Sequence, residues 1–328
     1  MQKYLINQHR VLQFDHEWLP HRQNCDTWRT QGIFHDEQEN TYGFQLSVNR
    51  VQAGMESFCV VNLQYGKLDA EQGMIQQRWC IHALEGDKEG LLIDEDSILF
   101  RDEAQLLLAK DAIAMRLRGD DYALDLRMGR ERPEVWFGED GRIPFLLGPR
   151  RTRRGYLCTL PMLSCVGRIY RPDGSSSRVN GTASFERLWG RYPLRMSKAH
   201  WEHFYLFMDN GDELSITAYP YGKLSTALCM PKNVLPFVFF DYQMEAASFL
   251  ELEDWRFASA WRLDMPQYSQ QVFYLSPIVP YFRLPAAQPI LGVFDHNGNR
   301  LGYAFSELLP GARNEVDHVG LALFFREN

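Results

Sequence analysis

Alternation of apolar and polar residues with a period of two is the dominant pattern in the chain. One face of residues 42–48 is apolar and carries Tyr42, Phe44, Leu46 and Val48. Because successive side chains of a strand point to opposite faces, this period predicts β-strands. Short helices are expected only at residues 103–114 and 243–249, and residues 199–207 fit either a helix or a strand.

Turns rich in Gly, Asn and Asp separate the predicted strands. The pairs Asn210-Gly211 and Asn297-Gly298 suit the positive φ angles of tight hairpins. Many short strands joined in this way predict an all-β fold, made of barrels or sandwiches. The 328 residues suffice for two domains. A Gly/Pro stretch after Trp189 places the expected boundary between domains 1–192 and 193–328.

Composition and charge narrow the function classes. The net charge of −7 argues against a nucleic-acid partner. No apolar run reaches the ~20 residues of a transmembrane helix, and no secretory signal is evident, so a cytoplasmic location is expected. The His and Cys residues lack metal-ligand spacing, and no nucleotide-binding motif occurs. We therefore expect neither a metal nor a cofactor.

Three groups of segments form recognisable motifs, which in chain order are 26–34 (DTWRTQGIF) with 42–45 (YGFQ), 179–190 (VNGTASFERLWG) with 201–204 (WEHF), and 301–303 (LGY) with Glu307. These motifs resemble those of the carotenoid 1,2-hydratase (hydroxyneurosporene synthase) family and its lipocalin-like relatives. The order and spacing of these motifs cover most of the chain. The resemblance implies two tandem lipocalin-like β-barrel domains, in agreement with the strand pattern.

The resemblance also implies a function class. The relatives include hydratases that protonate a polyene and fungal decalin-forming Diels–Alderases. They imply a cofactor-independent cyclase, isomerase or hydratase acting on a hydrophobic polyketide- or terpenoid-like molecule. The hydratases carry Tyr-x-Asp in the central motif, where Ser184 and Glu186 stand here. Their upstream His and Trp fall near Leu157 and Thr159, so carotenoid hydration itself is not expected.

Two carboxyl groups are the catalytic candidates. Glu186 lies in an apolar, aromatic strand, where burial disfavours the anion, so a raised pKa and a role as general acid are predicted. Its structural alternative is an ion pair with Arg187 or another arginine. Asp26 is expected either to partner Glu186 or to cap a barrel end with Arg29 or Arg50.

Five further side chains are candidates for substrate binding. They are Trp28, Tyr156, Trp189, Trp201 and His203. Aromatic faces stabilise cation-like transition states, although packing in the core is the alternative role. Two competing functions stay open: a non-catalytic lipocalin-like protein that binds a lipophilic ligand, and an interaction module with filled barrels. An apolar cavity with Glu186 pointing into it favours the enzyme.

Overall fold

A computed structural model describes most of the chain. The described residues are 4–5, 14, 17–21, 25–53, 56–68, 75–82, 91–119, 122–137, 142–146, 152–190, 201–219, 224–252, 255–278 and 289–309. Within these ranges the chain forms strands, all paired antiparallel, and no α-helix. The all-β class predicted from the alternation is therefore confirmed.

Two curled sheets make up the structure. The first sheet contains β2 (Cys25–Asp36), β3 (Thr41–Ala53), β4 (Glu56–Lys67), β5 (Ile75–His82), β6 (Leu91–Ile93), β7 (Ser97–Phe100), β8 (Ala104–Ala109), β9 (Ala112–Arg118), β10 (Ala123–Gly129), β11 (Val135–Trp136), β12 (Arg142–Leu146), β13 (Thr152–Tyr170) and β14 (Ser176–Gly190). The second sheet contains β1 (Tyr4–Leu5), β15 (Trp201–Met208), β16 (Glu213–Tyr219), β17 (Leu224–Met230), β18 (Phe237–Phe239), β19 (Gln243–Leu252), β20 (Trp255–Asp264), β21 (Val272–Pro277), β22 (Ile290–Phe294) and β23 (Arg300–Leu309).

Most neighbouring strands are consecutive in the chain, but several pairings are not, and we call one such pairing in each sheet its closure. In the first sheet β2 pairs with β14, which follows it only after eleven intervening strands. In the second sheet β15 pairs with β23. These closures bring together segments that are distant in sequence. The domain boundary expected after residue 192 stays a prediction, although it falls between the last strand of the first sheet and β15.

The predicted turns and helices have different outcomes. Gly211 and Gly298 adopt φ angles of 85° and 81°, and both lie in hairpin turns as predicted. The short helices predicted at 103–114 and 243–249 are wrong, because these segments form β8, β9 and β19. Pairing with neighbouring strands overrides a local helix preference. No helix in the described ranges is long and apolar enough to cross a membrane.

Both faces of each sheet are largely buried around the closures. One face of each sheet lines its own apolar core. The opposite faces of the two sheets meet, and we call the region between them the seam. Its apolar side chains include Ile33, Leu157 and Leu188 from the first sheet and Tyr205, Phe207 and Phe305 from the second. The seam also holds charged and polar side chains, and these form the candidate site.

Candidate functional site

A row of polar side chains crosses the first sheet on its seam face. Strand register places each residue directly opposite the next, in the order Asn62, Ser47, Arg29, Glu186 and Thr159. All five are at most 1% exposed. We call these five residues the polar row. Burial of so many polar groups on one face is costly unless they pair with one another or with a ligand.

Close approach of β2 and β14 holds the centre of this row in register. A Cβ atom at Gly181 would lie 2.0 Å from the carbonyl oxygen of Ile33. A larger residue at this position would therefore force the two strands apart. The glycine in the central sequence motif thus helps to keep Arg29 directly opposite Glu186.

Glu186 lies at the point where the polar row meets the second sheet. Its Oε2 accepts a hydrogen bond from Arg29 at 3.1 Å and contacts Nε2 of His203 at 3.0 Å. Its Oε1 accepts a hydrogen bond from Ser215 at 2.8 Å. His203 and Ser215 belong to β15 and β16, so the carboxyl group binds the two sheets together.

These contacts overturn the predicted ionisation of Glu186. Burial by itself would raise its pKa, but the interactions with His203, Arg29 and Ser215 outweigh burial and lower the pKa to about 2. The prediction of a raised pKa is therefore wrong, because the aromatic side chains of Phe185 and other neighbours face the first core instead. The arginine that pairs with Glu186 is Arg29.

His203 lies beside this carboxylate in the seam. Burial and the positive charge of Arg29 lower its pKa, against the opposing effect of Glu186. Its Nδ1 lies 2.9 Å from the hydroxyl of Thr217. A neutral ring protonated on Nε2 can donate to Glu186 and accept from Thr217, which satisfies both nitrogens.

Arg29 contacts a carboxyl group from each sheet. Besides Glu186, it forms an ion pair with Glu307 of β23. Glu307 also accepts a hydrogen bond from Asn49 at 3.1 Å, and Asn49 accepts one from Thr27 at 2.7 Å. The guanidinium group is therefore the central cation of the seam, and both carboxyl groups depend on it.

A second buried carboxyl group, Glu213, was missed by the sequence analysis. Its Oε2 accepts hydrogen bonds from the Tyr205 hydroxyl at 2.5 Å and the Met162 amide at 2.9 Å. Thr182 contacts Oε1 at 3.1 Å. Burial outweighs these hydrogen bonds and the charge of Arg132, and it raises the pKa of Glu213 to about 7. Glu213 is therefore about half protonated at neutral pH.

An irregularity in β13 positions one of these hydrogen-bond donors, the amide of Met162. The pairing register shifts between Leu160 and Leu163, and Met162 adopts a φ of 51°. This left-handed conformation costs a residue other than glycine roughly 1–3 kcal/mol, and such strain tends to cluster at functional sites. Here it directs the amide of Met162 across the seam to Glu213.

The two carboxyl groups both face the seam but differ in ionisation. Ser215, which donates to Glu186, follows Glu213 by two residues on the same face of β16. Positions so related are roughly 6.6 Å apart along a strand. A pair of titratable groups whose environments separate their pKa values is typical of an acid and a base at one site. The sequence signal was the polar alternation of Glu213, Ser215 and Thr217.

The remaining candidates divide between the two faces of the first sheet. Of the candidates whose side chains the structure describes, His203 on the second sheet is the one that shares the seam with Glu186. Asp26 lies on the opposite face, where it pairs with Arg187 at 2.7 Å and with Arg50 at 3.6 Å. It therefore does not partner Glu186, and its contact with Arg50 is the expected alternative.

The aromatic candidates also lie away from Glu186. The guanidinium of Arg187 stands 3.8 Å from the centre of the Trp28 ring, and Tyr156 stacks on Trp189 at 5.3 Å. All of these rings lie on the side of the first core, so they do not form one site with the seam carboxyls. Their role in ligand binding stays a prediction. The side chain of Trp201 lies outside the described residues.

The raised pKa of Glu213 predicts how stability changes with pH. The folded-state pKa of Glu213 is about 7, against an ordinary value of 4.5. Its contribution to the free energy of unfolding is therefore fully present below pH 4.5 and is lost as pH rises through 7. The loss is about 3 kcal/mol. We expect Glu213→Gln to remove this decline, as measured by urea unfolding at pH 4.5 and 8. The control Glu202→Gln should keep the decline of the wild type. If Glu213→Gln also kept it, the decline would not come from Glu213.

Comparisons with known proteins agree with this architecture. A protein-family model described as AttH-like matches residues 6–280. The fold is similar to that of a protein from Nitrosomonas europaea provisionally assigned as AttH, with a TM-score of 0.75, 16% identity, and coverage of 94% of this chain and 99% of that one. It is also similar to kievitone hydratase from Nectria haematococca, with a TM-score of 0.62, 12% identity, and coverage of 94% and 98%. No curated protein sequence matches.

Proposed function

Since the chain belongs to the AttH-like family, we propose that it is a cofactor-independent hydratase-type enzyme. In this proposal it adds water to a carbon–carbon double bond of a hydrophobic small molecule bound in the seam, or removes water in the reverse direction. The observation that carries the proposal is the pair of buried carboxyl groups, with pKa values of about 2 for Glu186 and about 7 for Glu213. The name of kievitone hydratase agrees with this reaction class.

Glu213 supplies the proton in this proposal. Its protonated form transfers the proton to one alkene carbon, the π electrons form the new C–H bond, and positive charge develops on the other carbon. Such a general acid works best when its pKa lies near the working pH. The rings of Tyr205 and Phe305, which line the seam, suit an adjacent cation-like carbon.

In this proposal Thr159 binds the water molecule and Glu186 accepts its proton. The oxygen of water bonds to the cationic carbon, and the resulting protonated alcohol gives its proton to the carboxylate of Glu186. A carboxylate with so low a pKa is a weak base, but a protonated alcohol is a much stronger acid. Thr159 lies directly opposite Glu186. Its buried hydroxyl has no hydrogen-bond partner in the described part of the chain, so it is suited to holding the water.

Incorporation of ¹⁸O tests the reaction class. Purified protein is incubated in H₂¹⁸O with a panel of hydrophobic alkenes, including prenylated aromatic and polyketide-like compounds, and the products are analysed by mass spectrometry. We expect an alcohol that contains one ¹⁸O atom. Tight binding of a panel member without any turnover would support the non-catalytic binding protein instead.

Tyr205→Phe tests the assignment of the acid. Because the hydrogen bond from Tyr205 lowers the pKa of Glu213, its removal should raise that pKa further. Since kcat falls when the acid loses its proton, we expect the alkaline limb of the pH–kcat profile to move to higher pH. The control is Tyr242→Phe, a buried tyrosine bonded to backbone carbonyls away from the seam. An unmoved limb in Tyr205→Phe would argue against Glu213 as the acid.

A further inference from the structure

Asn62, at one end of the polar row, is a buried amide without a hydrogen-bond partner in the described part of the chain. It is 0% exposed, and neither Nδ2 nor Oδ1 has a hydrogen-bond partner among the described residues. Two neighbouring amides do form hydrogen bonds: Gln64 donates to Gln45 at 2.5 Å, and Asn49 bonds to Thr27 and Glu307. A buried polar group left unpaired in a native fold requires an explanation, and a missing ligand is one.

The position of Asn62 relates it to the proposed reaction centre. Val61 and Leu63 belong to the first core, so Asn62 lies on the seam face between them. Strand register places it three strand spacings from Glu186, by way of Ser47 and Arg29. At about 4.8 Å per spacing, this separation is roughly 14 Å along the sheet.

We propose that Asn62 is a specificity-determining residue that binds a hydroxyl group of the substrate. The inference rests on the proposed function, because it assumes that the substrate lies along the polar row. A hydroxyl group both donates and accepts, so it suits an amide whose donor and acceptor are both unpaired. An anionic group is disfavoured, since Arg29 is already paired with two carboxyl groups. The substrate class is therefore an elongated apolar alcohol or phenol with its double bond near Glu186.

Binding of saturated probes tests this subsite separately from the reaction. The probes are 1-decanol, which donates and accepts hydrogen bonds, and 1-methoxydecane, which only accepts. Neither has a double bond, so binding does not depend on turnover. We expect the wild-type protein to bind 1-decanol about 10-fold more tightly than the ether by titration calorimetry, which is the size of effect that one hydrogen bond supplies. Asn62→Leu should bind the two probes equally.

The thermal stability of two variants provides a second measurement. Because Asn62→Leu removes unpaired polar atoms and keeps the volume, its Tm should equal or exceed that of the wild type. The matched control is Asn49→Leu on the adjacent strand, which should lower Tm because it removes the hydrogen-bond partner of Thr27 and one of the partners of Glu307. A fall in Tm for Asn62→Leu similar to that of the control would show that Asn62 is a structural residue.

The outcomes separate this inference from the proposed reaction. Loss of the alcohol preference in Asn62→Leu, with the preference retained in Glu213→Gln, would support the subsite even if no turnover is found. An unchanged preference in Asn62→Leu, an absence of preference in the wild type, or no binding of either probe would overturn it. A crystal soaked in 1-decanol that shows only a water molecule on Asn62 would overturn it as well.

Discussion

Replacing Glu213 with glutamine is expected to lower kcat by roughly 100- to 10,000-fold, with little change in substrate binding. General acid catalysis typically contributes this factor, and glutamine cannot give up a proton. Glutamine keeps the shape of the side chain and can still accept the hydrogen bonds from Tyr205 and Met162. The measurement is kcat and KM for the alkene identified in the isotope experiment.

Two further variants test whether the fall in kcat of Glu213→Gln is specific to the general acid. Glu202→Gln is the control, since Glu202 is a buried glutamate of β15 that faces the second core and accepts a hydrogen bond from Trp261. It should keep the wild-type kcat. Glu186→Gln should also lower kcat, but without abolishing the limb near pH 7 that belongs to Glu213. If Glu213→Gln retained a kcat within a few-fold of the wild type, the proton would come from another group.

Replacing Arg29 with leucine is expected to lower the free energy of unfolding by about 3–5 kcal/mol at pH 7. The substitution leaves Glu186 and Glu307 buried without their shared cation. The loss should be smaller at acidic pH: without Arg29 the pKa of Glu186 rises, so protonation can remove its uncompensated charge. Urea unfolding at pH 7 and pH 4 measures both effects.

The chain offers a matched control for this ion pair. Arg116 and Asp125 also lie directly opposite each other on neighbouring strands, with a nitrogen–oxygen distance of 2.9 Å, but their side chains are 54% and 36% exposed. Arg116→Leu should therefore cost only about 0.2–1 kcal/mol. Equal losses for the two arginines would show that burial of the Arg29 network contributes little. Apolar residues at Arg29, Glu186 and Glu307 together should recover most of the stability, because no charge is left unpaired.

The proposed activity and the stability of the fold are thus expected to depend on the same few side chains. Arg29 and His203 hold Glu186 ionised, whereas at Glu213 burial outweighs the hydrogen bonds and the charge of Arg132, so Glu213 keeps its proton to a higher pH. An enzyme that needs one carboxylate and one carboxylic acid at the same site can obtain both from this difference in surroundings.

The amino-acid sequence by itself determined the strands and several of the turns. The alternation over residues 42–48 shows that an extended chain has one apolar and one polar face, and this is a local property. Gly211 and Gly298 mark hairpin turns because their positive φ angles are also local. Where the local signal was ambiguous, as at residues 243–249, pairing with β20 decided for a strand.

Only the tertiary structure decided what covers each face and which charges meet. Alternation distinguishes the two faces of a strand, but it does not show that the polar face of one sheet packs against another sheet. The sequence neighbours of Glu186 are aromatic and suggested a protonated acid. Its spatial neighbours Arg29, His203 and Ser215 come from three other strands and hold it ionised. A pKa depends on distances in space, and those distances are set when β2 pairs with β14 and the two sheets pack together.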